Sequence, residues 1–220
     1  MDRLEQYIEE HSLPEDPLLT ELDRQTNLRV IQPKMVSGRV QGAFLKMIVE
    51  MLRPRTVLEI GTFTGYSALA MAAGLEDGAE LHTVEVDDEL EDIARSYFHR
   101  SPHGAKIHLH IGPALEVVPS LERTFDLVYI DGDKREYPAY YRMLLERQRP
   151  QRINFPPLVR SGTVILADNV LWYGKVAEDV KDSDRMSHGI LEFNRIVAND
   201  ARVENVILPL RDGINMIRVK

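Results

Sequence analysis

"VLEIGTFTGYS", residues 57–67, decides how this chain is read. A short β-rich run, Thr56–Ile60, passes into a turn that carries Gly61 and Gly65 and then into an apolar helical pattern, the transition at which open α/β sheets hold ligands. Working outward, further β-rich runs occupy Leu81–Val86, Ile107–Ile111, Phe125–Ile130 and Thr163–Ala167, and helical patterns separate them. That alternation predicts a mostly parallel sheet with helices on both faces. The stripe Val40, Phe44, Leu45, Met47, Ile48, Met51 and Leu52 is expected to cover one face, and Leu90, Ile93, Ala94, Tyr97 and Phe98 form a second stripe. Val203–Leu208 and Ile214–Val219 flank "PLRDG", a hairpin turn in which Gly213 is free to take positive φ. A terminal antiparallel pair follows. About thirty residues at the start read as one or two short helices, with Leu4, Tyr7 and Ile8 on one face and Leu18, Leu19 and Leu22 on another, suited to a lid, a dimer contact or plain packing. No repeat or Gly/Ser linker interrupts residues 1–220, so one domain is expected.

Composition narrows the chemistry. The chain has 220 residues, 44% of them hydrophobic and 28% charged, and no run long enough to span a bilayer. Its acidic, amphipathic start differs from a signal peptide, which predicts a cytoplasmic protein with no membrane partner. The absence of cysteine excludes disulfides and thiolate chemistry, leaving oxygen and imidazole as metal donors. A formal charge of -8 disfavours nonspecific attraction to nucleic acid and favours a small-molecule substrate.

The glycine turn selects among nucleotide-like ligands. A dinucleotide fingerprint, G-x-G-x-x-G, needs its second glycine where the backbone meets the pyrophosphate; here Phe63 and Thr64 stand in that region. A nicotinamide-dependent oxidoreductase is therefore disfavoured. S-adenosylmethionine carries adenosine without phosphates, and Glu59, Gly61, Thr62, Gly65 and Ser67 offer polar groups to its amino-acid end, Glu59 as acceptor for the ammonium. Glu85, closing "LHTVEV", stands where such folds place a carboxylate for ribose hydroxyls, and "GPALE", with Gly112, Pro113 and Ala114, suits the adenine edge.

A second constellation lies at two further strand ends. Asp131, Asp168 and Asn169 make an oxygen-only set suited to Mg2+, Mn2+ or Ca2+. Either aspartate alone reads equally well as a helix N-cap. Lys134, three residues beyond Asp131, adds a group able to serve as base if a cation lowers its pKa.

Taken together, "VLEIGTFTGYSALAM", "VEVDDE", "GPALE", "YIDGDKREYPAYY" and "ADNVLWYGKV" resemble the cation-dependent O-methyltransferases, which include the caffeoyl-CoA and catechol O-methyltransferases. The resemblance runs from about Lys34 to the C-terminus. It implies the Rossmann-like class I methyltransferase fold, a seven-stranded sheet ending in an antiparallel hairpin, and S-adenosylmethionine with a divalent cation, Mg2+ first. It also implies a hydroxylated aromatic small molecule as acceptor and, commonly, a homodimer. By motif match Asp131, Asp168 and Asn169 take the metal-ligand positions, Lys134 that of the base, and Glu59, Gly61, Ser67, Glu85, Ala114 and Asp131 surround the methyl donor. "KMVSGRVQGAFL", Lys34 to Leu45, matches the segment that closes over the cofactor, with Met35, Val36 and Ser37 as contacts. The division implied is an N-terminal lid or dimer segment, 1–33, and a catalytic core, 34–220.

Two departures stand out. Ala43 replaces the glutamine of the usual "GQFL", and the connector "ERQRPQRINFPPLVRSG", 146–162, is longer than usual by roughly ten residues. Its arginines, Arg147, Arg149, Arg152 and Arg160, suit either a solvated loop or an anionic partner, and they keep alive an alternative acceptor, a 5-hydroxyuridine of tRNA. His108 and His110 share one face of a strand, but without a third ligand they read as edge or surface residues. Trp172 is placed to wall the acceptor pocket or shield the cofactor, Tyr140 to touch the donor, and Tyr141 to sit on a buried helix face.

Overall fold

Every β-rich run becomes a strand of one sheet in the computed structural model, which describes residues 3–146 and 156–220. The strands are β1 (Thr56–Ile60), β2 (Glu80–Glu85), β3 (Ile107–Ile111), β4 (Phe125–Ile130), β5 (Val159–Ala167), β6 (Val203–Leu208) and β7 (Ile214–Val219). Their order across the sheet is β3-β2-β1-β4-β5-β7-β6, with β1 to β5 parallel and β7 antiparallel to both of its neighbours. Gly213 takes φ +87° in the hairpin turn, as expected. The chain reverses its winding between β1 and β4, and that crevice is where such sheets bind ligands.

Helices cover both faces because each presents an apolar stripe to the sheet. On one side lie α2 (Pro17–Arg29), α3 (Arg39–Leu52), α4 (Tyr66–Gly74) and α5 (Glu91–Arg100), and on the other α6 (Ala114–Ser120), α7 (Tyr137–Leu145) and α8 (Arg185–Ala198). The first helix, α1 (Arg3–Glu10), buries nothing and leaves Leu4, Tyr7 and Ile8 exposed. In contrast α2 is tied down: Leu22 is fully buried, Thr26 Oγ1 donates to Thr64 Oγ1 at 3.0 Å, and Glu21 pairs with Arg100 at 2.6 Å.

Two sequence expectations need correction. In α3 the buried positions are Gln41, Gly42, Leu45, Ile48 and Val49, while Met47, Met51 and Leu52 of the expected stripe face outward. Close contact with α4 decides this, since a methyl on Gly42 would meet the Tyr66 ring at 2.9 Å and one on Gly74 the Lys46 carbonyl at 2.6 Å. Small residues set the approach, so apolarity alone misplaced the face. The fifth strand begins at Val159 rather than Thr163, across a register shift against β4 at which Gly162 has φ +93°. Thr163 spans the irregularity, donating to the Phe125 carbonyl at 2.8 Å and accepting from the Arg160 amide at 3.1 Å.

Candidate active site

A cavity of about 1940 Å3 opens over the C-terminal ends of the parallel strands. Its floor is the turn after β1. Gly61 adopts φ +100° and its amide donates to the Val84 carbonyl at 2.9 Å; a side chain there would begin 2.4 Å from the backbone oxygen of Asp131. Gly65, at φ +93°, starts α4 and faces the Phe98 ring, which a methyl would approach to 2.5 Å. Both glycines are therefore required by the packing of the fold as much as by any ligand.

Of the residues predicted to surround a methyl donor, Met35, Val36, Ser37, Gly61, Thr62, Ser67, Glu85, Gly112, Pro113, Ala114, Asp131 and Tyr140 line this cavity. Glu59 and Gly65 do not. Gly65 turns to Phe98, and Glu59 is fully buried behind the wall, accepting from Thr83 Oγ1 at 2.5 Å while its other oxygen has no hydrogen-bond partner. Burial pushes the Glu59 carboxyl up to about 8, and the charges of Asp131 and Glu85 add to the shift. A buried acid with one oxygen unpaired fits a ligand whose positive charge would stabilise its ionised form.

That pKa has a measurable consequence for folding. The carboxyl ionises near 4.5 when unfolded and near 8 when folded, so the unfolded state loses its proton first and stability falls as pH rises between those values. The slope is at most about 1.4 kcal/mol per pH unit. Glu59→Gln, which cannot ionise, is expected to be more stable than the parent at pH 8 and to lose that advantage near pH 5. Urea unfolding of both proteins at the two pH values reads the difference; parallel profiles would refute the assignment.

Glu85 is held differently. Its Oε2 accepts from the Phe63 amide at 2.7 Å and its Oε1 from the Val86 and Asp87 amides at 2.9 and 3.0 Å, which fixes a carboxylate at the cavity edge. Asp131, Lys134, Asp168, Asn169 and Trp172 line the same cavity. Neither aspartate caps a helix; that role falls to Asp133, which accepts from the Arg135 amide. Lys134, itself buried, donates to Asp131 Oδ1 at 2.7 Å and to the Tyr137 hydroxyl at 2.8 Å. The Tyr137 hydroxyl reaches the carbonyls of Ile130 and Asp168, both at 3.0 Å. Asp168 Oδ2 accepts from Gln41 Nε2 at 2.5 Å and the Tyr129 hydroxyl at 3.0 Å, while its Oδ1 takes the Asn169 amide at 2.8 Å. Asn169 adopts φ +56°, a turn that brings it beside Asp168 on the cavity wall. Burial raises the Asp131 carboxyl, an effect that Lys134 opposes and Asp168 reinforces.

Gln41, Tyr129 and Arg211 escaped the sequence reading. Arg211 reaches from the β6–β7 turn to Gln41 Oε1 at 3.3 Å and the Val36 carbonyl at 3.5 Å, so the last hairpin braces the segment before α3. Nothing in the sequence marks that contact. Tyr140 donates to Glu136 at 2.6 Å and Tyr141 is buried against Phe193, in line with its predicted helix face. Trp172, at φ +48°, lines the cavity with its indole N–H unpartnered. Arg147, Arg149 and Arg152 lie outside the described residues. Arg160 pairs with Asp126 at 2.6 Å at the start of β5. A strand of that length puts it roughly 25 Å from Asp168, which removes it from the cavity.

The arrangement matches known proteins closely. Residues 9–220 fit the family model described as O-methyltransferase. The chain belongs to the O-methyltransferase family. This O-methyltransferase is 31% identical to a caffeoyl-CoA O-methyltransferase of Petroselinum crispum, over 99% of its own length and 90% of that protein's. It is 32% identical to one of Mesembryanthemum crystallinum, covering 99% and 86%. Among solved structures, an O-methyltransferase from Bacillus cereus in complex with SAH superposes with a TM-score of 0.85 at 31% identity, covering 99% of this chain and 97% of that one. An SAH-bound methyltransferase of Podospora anserina gives 0.87 at 29% identity, covering 100% and 94%. Membership sets aside the oxidoreductase reading, in agreement with a turn where Phe63, at φ +50°, stands in the region of the second glycine. Among the described residues no helix is long and apolar enough to cross a membrane.

Proposed function

We propose that this O-methyltransferase transfers the methyl group of S-adenosylmethionine to one hydroxyl of a small aromatic carrying two adjacent hydroxyls, with a divalent cation, Mg2+ first, at Asp131, Asp168 and Asn169. The observation that carries the reading is that this oxygen set and Lys134 line the same cavity as Gly61, Ala114 and Glu85. Two carboxylates and an amide suit a hard cation, and each carboxylate keeps lone pairs beyond its protein contacts. A cation bound there would supply stabilisation of a neighbouring phenolate, whose parent phenol has a pKa near 10.

The chain's own residues then divide the work. Glu85, anchored by three amides, accepts from the ribose hydroxyls, and the turns at Gly61–Ser67 and Gly112–Ala114 hold the ends of the donor. The orphan oxygen of Glu59 places negative potential behind the cationic end. Met35, Val36 and Ser37 cover the donor, and residues 1–33 extend that cover, since Gln25, Arg29 and Pro33 reach the same wall. Trp172 walls the acceptor side. Lys134, as the neutral amine that a bound cation would favour, takes the hydroxyl proton and becomes the ammonium, its nitrogen positioned by Asp131 and Tyr137.

Lys134→Ala is expected to lower kcat about 100-fold at pH 7 and less at pH 9, where more of the phenol ionises unaided. Equal losses at both pH values would remove the base assignment. A labelled-methyl assay with a catechol panel and bulk tRNA, each with Mg2+ and with a chelator, tests the whole reading. Label in a catechol, lost on chelation, is the expected result; label in tRNA alone would overturn the acceptor, and transfer undiminished by the chelator would overturn the cation. A cytoplasmic homodimer completes the proposal, supported by the exposed apolar side chains of α1 and of Met47 and Met51 on neighbouring α3, and light scattering reads it directly.

A further inference from the structure

Four side chains on β2 and β3 have no part in the cavity just described. Glu80 and His82 come from β2 and His108 and His110 from the edge strand β3, and the parallel register sets His82 beside His108 and Val84 beside His110. All four side chains therefore point to one face, opposite to that of Glu85. The His82 ring stacks on His108 with centroids 4.9 Å apart and on His110 at 5.3 Å. One carboxylate oxygen of Glu80 and one nitrogen each of His82 and His108 lie within 4.8 Å of one another.

One of those atoms, on His82, is in an unfavourable position. His82 is 6% exposed, and its Nε2 faces Glu80 Oε2 at 3.5 Å with no hydrogen-bond partner of its own. On its other side His82 Nδ1 meets His110 Nε2 at 3.1 Å. If Nδ1 carries the proton and donates it to His110, then Nε2 presents a lone pair to a carboxylate oxygen, and a positive centre is needed between them. Arg123, 3.1 Å from Glu80 Oε2, serves the carboxylate but gives nothing to the imidazole.

We propose that Glu80, His82 and His108 form a zinc site, separate from the methyl-transfer cavity, that clips the edge strand β3 to β2. Two imidazole nitrogens and a carboxylate oxygen, with water in fourth place, are a donor set Zn2+ accepts. Tetrahedral bonding at about 2.0–2.1 Å spaces ligand atoms about 3.4 Å apart. Glu80 and His82 already meet that spacing, and exposed His108 is free to close the remainder by side-chain rotation. His110 acts as a positioning residue, holding the tautomer of His82 that leaves Nε2 free. Read along the strand, His108 and His110 lacked a third ligand; the neighbouring strand supplies it.

The test is Zn2+ titration of the full chain by calorimetry in saturating Mg2+, repeated with Co2+ to read its visible absorption bands. One Zn2+ per chain is expected, with affinity lowered at least about tenfold by His108→Asn and by Glu80→Gln and by about 10- to 100-fold by His110→Phe. Asp168→Asn should leave it unchanged. Circular dichroism checks folding of each variant, and His108 and Glu80 lie far enough toward the surface for the fold to survive their exchange. Absence of binding would mean a Glu80–His82 contact only and would overturn the site, as would binding that Asp168→Asn abolishes and His108→Asn preserves.

Discussion

Asp168→Ala is expected to lower methyl transfer by more than about 100-fold, because the proposed cation would supply several kcal/mol of charge stabilisation and the carboxylate is central to its proposed donor set. The alanine variant also removes the acceptor shared by the Gln41 amide and the Tyr129 hydroxyl in a buried setting, at about 1–3 kcal/mol for the hydroxyl, while Gln41 Nε2 keeps the Tyr129 oxygen at 2.7 Å. Loss of activity in that variant alone therefore mixes two effects. Asp168→Asn largely separates them, since its amide oxygen still accepts from Gln41 and Tyr129 while the charge is gone and only the Asn169 amide loses its acceptor. The asparagine variant should unfold in urea closer to the parent midpoint than the alanine variant does and still lose most activity, with the Mg2+ concentration for half-maximal rate pushed upward. An asparagine variant with parental rate and parental Mg2+ response would sink the cation assignment.

Gly61→Ala carries the largest expected cost in stability. The residue sits at φ +100°, where a side chain is strained by about 1–2 kcal/mol, and the new methyl would begin 2.4 Å from the Asp131 carbonyl oxygen. Overpacking adds about 1–3 kcal/mol, so a total near 3 kcal/mol and a fall in Tm on the order of 10 °C follow. The clash also forces the ends of β1 and β4 apart, which moves Asp131 relative to Asp168. Activity below the melting range should consequently drop more than the folded fraction does. A variant that melts within about 2 °C of the parent would show that the turn relaxes without strain.

The contrast between these two positions shows what was legible. Gly61 announces itself in the sequence, because a glycine after a β-rich run marks a backbone that must turn at positive φ. Asp131, Lys134, Asp168 and Asn169 were equally visible, each set at the end of an alternating strand. Gln41, Tyr129 and Arg211 were not. Their partners lie far along the chain, 127 positions for Gln41 to Asp168 and 170 for Arg211 to Gln41, and no local pattern encodes a hydrogen bond over that separation. Glu59 was legible as an acid but not as a fully buried one, since its burial depends on how β1 packs against β2.

Strand alternation, the hydrophobic stripes and the glycine turn thus determined by themselves the parallel sheet, its terminal hairpin and the edge on which a site would form. They could do so because periodicity and backbone permissiveness are local properties. The face that α3 buries, the anchoring of Asp168 by residues from three other elements, and the meeting of His82 with His108 and His110 were decided only by the tertiary structure. Each of these depends on the close approach of segments distant in sequence, where packing and the pairing of buried polar groups, rather than local propensity, select the arrangement.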